Sequence, residues 1–414
     1  MFLLILCVNF GTLGADENRM PSIVGPFLQE MRTFYSEQDG LADVDVQRIA
    51  IDSARRVYAR TESGDFEFRN GQWAALGKPT NPFRTDMELD EISKSAGLGQ
   101  ALSVARDATS TPVYGTTEGL FFTSGAKFEQ QFPEHGNRRW APTNVRVDYD
   151  GLGRLWFCSK QGVGCFADGE WTLHTGADGL PYDDLTSIAC SNDGTVWCGT
   201  TKGVVRFDGQ NWAYRQGKRW LPNDDVRDIA IDADGNAWIA TAGGIAFIYF
   251  KPMTLAEKAE YYETEIDRFH RRTKFGYVIE AHAPVPGGKQ NLRLGASDND
   301  GLWTSMYGAG ECFAYGATKS PESKQRAKRA FEALRFLSEA PKGSKHAPPD
   351  GFIARTVLET TAPDPNLGSY TLEAQRRFRS DDGYWRVYEP RWPKSADGEY
   401  YWKSDTSSDE LDGH

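Results

Sequence analysis

The stretch Val226-Arg-Asp-Ile-Ala-Ile-Asp-Ala-Asp-Gly-Asn-Ala-Trp-Ile-Ala-Thr-Ala-Gly-Gly-Ile-Ala-Phe-Ile248 decides the fold. From Val226 to Asp232 apolar and polar residues alternate, the pattern of a strand with one buried face. Asp234-Gly235 follows, and glycine accepts the positive φ of a tight hairpin turn. Ala237 to Thr241 is the returning strand, Gly243-Gly244 turns the chain again, and Ile245 to Ile248 is a third strand.

The same template recurs upstream. Ile49-Ala-Ile-Asp52 leads to Val57-Tyr58, Val104-Ala-Arg-Asp107 to Val113-Tyr114, and Val145-Arg-Val-Asp148 to Leu155-Trp156. Ile188-Ala-Cys-Ser191 leads to Val196-Trp197, and Ile229-Ala-Ile-Asp232 to Ala237-Trp238. The aromatic positions 58, 114, 156, 197 and 238 are separated by 56, 42, 41 and 41 residues. Glycines follow at Gly64, Gly119, Gly162, Gly203 and Gly244, and in the fourth copy Asp208-Gly209 introduces an outer strand, Trp212 to Arg215. Four short antiparallel strands per repeat are the pattern of a β-propeller blade, whose two faces are buried only by stacking on neighbours.

The ends of the array point to closure. Met31 to Asp52 aligns without a gap on Glu170 to Ser191, so Arg32 to Ser36 reads as an outer strand. The fifth copy lacks one, because Tyr249 runs directly into Lys251-Pro252. The N-terminal strand is therefore expected to complete the fifth blade and remove an exposed edge. The fold class expected is an all-β propeller of about five four-stranded blades over 28–250, followed by a mainly α region over 251–414.

Leu180-Pro-Tyr-Asp-Asp-Leu-Thr-Ser-Ile-Ala and Leu221-Pro-Asn-Asp-Asp-Val-Arg-Asp-Ile-Ala, each followed by Asp-Gly-x-x-Trp, resemble two-component-regulator propeller repeats. The resemblance is good over 143–248 and weaker over 30–140. It implies the propeller fold and a setting in periplasmic sensors or secreted proteins. No histidine-kinase or response-regulator segment accompanies it.

Composition narrows the function. The chain has 414 residues and a formal net charge of −11, which argues against a nucleic-acid partner, since phosphate binding needs clustered Lys and Arg. No run reaches the roughly 20 apolar residues of a membrane-spanning helix, so an integral membrane protein is not expected. Phe2 to Ala15 is a short apolar run ending at small residues, read as a signal peptide over 1–15. Cys7 falls within it. Cys158, Cys165, Cys190 and Cys198 lie on expected strands and Cys312 in a helix, all read as packing residues without metal spacing. No Gly-rich phosphate loop or G-x-S-x-G elbow appears, so no cofactor is expected.

After Pro252 the period becomes helical. Thr254 with Glu257 forms a capping box, and Leu255, Ala259, Tyr262, Ile266 and Phe269 mark one face. Gly301 to Thr318 is a second helix with Trp303, Tyr307, Gly310, Phe313 and Ala317 on a stripe. Ser320-Pro321-Glu322 opens a third, with Ala327, Phe331, Leu334 and Leu337 facing inward. The second and third should form a hairpin. Gly351 to Glu359 and Tyr384 to Glu389 have strand character. No helix is expected after Asp405-Thr-Ser-Ser-Asp-Glu, and the end reads as that of a truncated product. Asp298-Asn-Asp-Gly-Leu-Trp-Thr-Ser-Met-Tyr at a helix start, followed by the Pro-capped helix, resembles an α/α-toroid domain, the barrel of helical hairpins of many polysaccharide lyases and glycoside hydrolases.

That resemblance implies carboxylate chemistry on a sugar. Glycoside hydrolysis needs two carboxylates of opposed protonation, and the candidates are Asp298, Asp300, Asp405, Asp409 and Glu410. Trp303 and Tyr307, or Trp385 and Trp402, would offer flat faces to sugar rings, and Arg293 or Arg355 would hold a uronate carboxylate. Against this, Asp and Ser at helix starts are commonly caps. His282 and His414 read as solvated, and Asp298-x-Asp300-Gly301 departs from a calcium loop in the place of its glycine, so no metal is expected. Asp183-Asp184 and Asp224-Asp225 would either ring the channel mouth or satisfy loop N–H groups. Two functions remain open: an extracytoplasmic protein acting on acidic polysaccharide, and a non-enzymatic propeller that binds a small ligand or partner.

Overall fold

The computed structural model describes residues 25–414 apart from 78–82, 84, 95–96, 126 and 286–287; the expected signal peptide and Cys7 lie outside the described residues. Five four-stranded antiparallel sheets follow one another along the chain. The first comprises Arg48–Ile51, Val57–Thr61, Gly64–Arg69 and Gln72–Ala75. The second comprises Ala101–Arg106, Pro112–Thr116, Leu120–Ser124 and Lys127–Gln131. The third runs through Arg146–Tyr149, Leu155–Ser159, Gly162–Ala167 and Glu170–His174, the fourth through Leu185–Cys190, Val196–Thr200, Gly203–Phe207 and Trp212–Arg215. The fifth takes Val226–Ile231, Ala237–Thr241 and Gly244–Met253, and its outer strand is the N-terminal Phe27–Tyr35. That latch pairs antiparallel along its whole length, with Arg32 opposite Ile248 and Phe34 opposite Ala246. The chain is a β-propeller protein.

One turn fixes the register of four of the five repeats. Asp52 Oδ1 accepts the backbone N–H groups of Ala54 and Arg56. Asp107, Asp150 and Asp232 do the same for the residues two and four further on, the Asx turn expected of a short acidic side chain. Two assignments shift as a result. In the third repeat the turn residue is Asp150 rather than Asp148, which belongs inside the inner strand opposite Trp156. In the second, the turn has the same length, so Val113 rather than Tyr114 takes the place of Tyr58 and Trp156. Tyr114 points the other way and donates its hydroxyl to Glu88 at 2.6 Å. It is buried all the same, as are Tyr58 and the tryptophans 156, 197 and 238.

Apolar residues pack between sheets as blade stacking requires. Val113, Leu120, Val147 and Phe157 join the second sheet to the third, and Trp156, Cys165, Val196 and Val205 the third to the fourth. Trp197, Val204, Ile239 and Ile248 join the fourth to the fifth, and Ala59, Phe66, Trp238 and Ile245 the fifth to the first. Between the first and second, buried Phe83 lies under Arg48 and Arg60, their guanidinium carbons 5.6 and 4.3 Å from its ring. Helix α1 (Thr85–Ile92) adds Leu89 against Ala101.

Beyond Met253 the expected helices appear with different faces. Helix α2 (Leu255–Phe269) has its capping box, but Leu255 and Tyr262 are exposed. Helices α3 (Asp300–Thr318) and α4 (Pro321–Glu339) pack together as a hairpin. Their contact uses small residues: a methyl group on Gly308 would stand 2.9 Å from Ala330 Cβ, while buried Thr304 accepts the Val278 N–H and Ser305 lies against Gly413. Phe313 and Phe331, read as inward, are 80% and 63% exposed. Cys312 is exposed rather than packed. Tyr384–Glu389 is not a strand; Val357–Glu359 pairs instead with Tyr400–Trp402. Helix α5 (Leu372–Asp381) and a short α6 (Ser408–Gly413) occur where none was expected. Among the described residues, no helix is long and apolar enough to cross a membrane.

Candidate functional site

Counting back four residues from each turn residue gives one equivalent position on the five inner strands. Its occupants are Arg48, Ser103, Arg146, Ser187 and Asp228. All five line a single cavity of about 340 Å³, together with Arg227. Arg146 and Arg227 also line an adjoining cavity of about 450 Å³ that includes Asp184, just before an inner strand, and Thr117 and Lys160 from turns between second and third strands. Each inner strand thus presents the same pleat position to one cavity.

The five residues are not equally satisfied. Asp228 Oδ2 accepts Arg48 Nε at 3.0 Å and the Ile49 N–H at 3.1 Å, reaching from the fifth sheet to the first. Ser103 makes the equivalent bond from the second sheet to the third, its hydroxyl accepting the Val147 N–H at 2.9 Å. Ser187 Oγ is buried with no partner among the described residues. No hydrogen bond or ion pair among the described residues holds the Arg146 guanidinium, and burial holds it below its ordinary range. Arg227 is neutralised by Asp45 at 3.5 Å and Asp225 at 3.2 Å. The cavity therefore contains one half-buried cation that no hydrogen bond or ion pair holds, sharing the space with two serine hydroxyls and with an Asp228 carboxylate already engaged by Arg48. An uncompensated buried charge is unfavourable, and an oxyanion accepting from the guanidinium and the serine would relieve it.

One turn closer to the strand end, the equivalent residues are Ala50, Ala105, Asp148, Ala189 and Ala230. Asp148 replaces an alanine, and burial lifts its carboxyl to about 6 against the opposing pull of the Cys190 and Tyr149 N–H groups.

The C-terminal carboxylates are engaged by cations. Asp300 is fully buried and accepts from Arg272 and from the Thr356 hydroxyl, which lies at 2.5 Å. Asp298 pairs with Lys403 and stands 3.8 Å from Arg355. Asp405 receives Arg391 at 2.6 Å and Arg355 at 3.6 Å. Arg391 in turn stacks 4.0 Å from the Trp385 ring. So Asp298, Asp405 and Arg355 are brought together in a charge network. Asp409 is exposed, and the nearby Ser407 hydroxyl holds its carboxyl below the usual range. Glu410 has no exposed surface; desolvation lifts its carboxyl to about 7 where it packs on Gly301.

The sugar-facing residues are dispersed. Tyr307 bonds Glu263 at 2.7 Å and carries the Arg271 guanidinium 4.6 Å over its ring. Trp402 is core, and Trp303 is half-buried on α3. Arg293 is exposed on a two-residue ribbon opposite His282. Of the acidic pairs in the propeller, Asp184 accepts the Thr201 hydroxyl at 2.8 Å and Asp224 the Gly217 N–H at 2.6 Å, a role in loop structure.

The central residues Arg48, Ser103, Arg146, Ser187 and Asp228 were not singled out from sequence. No single residue type is common to all five, so no repeat signal marks them; the signal was their constant distance from the turn residue.

No curated protein matches the chain. Among solved structures, streptogramin B lyase is similar at 12% identity over 54% of this chain and 98% of its own, with a TM-score of 0.37. The extracellular domain of a hybrid two-component system from B. thetaiotaomicron is 20% identical over 55% of this chain and 36% of its own, TM-score 0.27. A gluconolactonase from Xanthomonas campestris is 10% identical over 54% and 90%, TM-score 0.26. The two-component regulator propeller family matches residues 221–243, the part of the fifth sheet whose inner strand supplies Arg227 and Asp228 to the cavity.

Proposed function

We propose that residues 28–250 form a closed five-bladed ring that binds a small oxyanion-bearing ligand in its channel, and that residues 251–414 are a helical unit attached to it. The chain acts as a binding or sensing module outside the cytoplasm, where the apolar run Phe2–Ala15 would direct it. The observation that carries this reading is the half-buried Arg146 guanidinium, held by no hydrogen bond or ion pair among the described residues, in one cavity with Ser103 and the unpartnered Ser187 hydroxyl. A carboxylate would accept from Arg146 as a bidentate acceptor, the geometry that makes arginine selective for planar oxyanions. Isothermal titration with small mono- and dicarboxylates and inorganic phosphate tests it. Wild type should bind at least one of them, and Arg146→Gln should lose at least tenfold. Equal affinity in the two proteins would defeat the proposal.

A second reading, cleavage of an acidic polysaccharide by the C-terminal carboxylates, draws on one observation. Glu410 is lifted to about 7 while neighbouring Asp409 is held low, the separation of acid and base roles that glycosidases use. Burial of Glu410 and the ion pairs of Asp298, Asp300 and Asp405 weigh against it. Reducing-sugar release from uronic-acid polymers, lost in Glu410→Gln, would favour this reading over binding alone.

A further inference from the structure

A cleft of about 510 Å³ lies where the latch strand meets helix α2 and shares no lining residue with the cavity of the inner strands. Three cations line it without a carboxylate partner among the described residues: Arg32, Arg219 and Lys258. The other charges there are already matched. Glu30 pairs with Arg215 at 2.6 Å and Arg206 at 3.2 Å, and Glu265 bonds Lys289 at 2.5 Å. Desolvation lowers the Arg32 pKa, and the like charge of Arg219 acts in the same direction, so the two guanidiniums sense one another. Like charges held together in a chain of net charge −11 are unfavourable unless an anion lies between them. The remaining wall is aromatic: Trp220, with the Tyr261 and Tyr262 rings meeting edge to face at 5.4 Å and Tyr262 47% exposed.

We propose that this cleft is a second binding site, for a carboxylate carried on a ring. Arg32 and Arg219 would hold the carboxylate, Lys258 would add charge, and the exposed tyrosine would take the ring face. Such a ligand is either an acidic sugar or an aromatic acid. Guanidiniums favour the planar carboxylate through paired N–H donors, and aromatic faces suit sugar and aryl rings alike. The site is independent of the channel.

The test is titration of the full chain, followed by tryptophan fluorescence and calorimetry, with galacturonate oligomers in one arm and benzoate in the other. The methyl ester of each serves as the neutral control. Saturable binding of either acid that persists in Arg146→Gln, and that is weakened at least tenfold when Arg32→Ala/Arg219→Ala is added to that variant, supports the proposal; the arm that binds identifies the ring. Circular dichroism of the double variant checks that the fold persists, and Arg219→Lys, which keeps the charge but not the fork, should fall between the two. The proposal is overturned if neither acid binds, if the esters bind as tightly as the acids, if adding the double change leaves the binding of Arg146→Gln as it was, or if Arg146→Gln abolishes binding.

Discussion

Arg48 and Asp228 occupy the same position of the first and fifth inner strands and meet at 3.0 Å across the junction of those sheets. The same carboxylate accepts the Ile49 N–H, so one side chain ties together the strands that begin and end the array of repeats.

Removing that carboxylate should be costly. Asp228→Ala leaves the Ile49 N–H without its acceptor and the Arg48 side chain without this partner, an expected loss of about 2–4 kcal/mol. Asp228→Asn keeps an acceptor and should lose less. Urea denaturation followed by tryptophan fluorescence measures both; a midpoint for the alanine variant equal to wild type would refute the role.

The latch strand carries a similar expectation. Deleting the residues before Ser36 removes the strand paired to Gly244–Met253 and exposes that edge. The shortened chain should melt at least 10 °C lower, or self-associate through the free edge in size-exclusion chromatography. A monomer with unchanged melting temperature would show that the latch contributes little.

Asp148 makes a prediction in pH. Its carboxyl is raised to about 6 in the folded chain, chiefly by desolvation, against an ordinary value near 4. The folded state therefore binds more protons than the unfolded state between those values, and stability falls as pH rises through this window. The loss levels off above about pH 6 and amounts to roughly 1–3 kcal/mol. Asp148→Asn, which keeps an acceptor for the Cys190 N–H, should flatten the profile between pH 4.5 and 7.5 and stabilise the protein at the upper end. Urea midpoints at several pH values decide this, and an unchanged slope in the variant would contradict it.

Core packing gives a magnitude. Trp197 has no exposed surface and lies between the fourth and fifth sheets. Trp197→Ala should destabilise by about 3–5 kcal/mol, measured by thermal melting under reversible conditions. A loss below 1 kcal/mol would mean that those sheets do not share a core.

The parts legible in sequence were those set by short-range chemistry. Asp-Gly turns, alternating strands and the caps at Thr254 and Ser320 depend on neighbours in the chain, and the structure has them where they were read. The slips at Asp148 and Tyr114 have one cause: a repeat was aligned on apolar residues when its fixed point is the aspartate that accepts two backbone N–H groups. The faces of α3 and α4 were misjudged because apolar periodicity marks the widest side chains, whereas close helix contact uses Gly308 and Ala330. The channel position was illegible by type, since arginine, serine and aspartate alternate there without a pattern. Its geometry emerges only when the pleat is counted from the turn.

The most direct test of the account is whether the inner strands meet around one channel, and a double-mutant cycle on Arg48 and Asp228 measures it. Urea stabilities of wild type, Arg48→Ala, Asp228→Ala and the double variant should give a coupling of about 1 kcal/mol or more. Additivity within about 0.3 kcal/mol would mean that the first and fifth strands do not join there, and the channel would lose its frame.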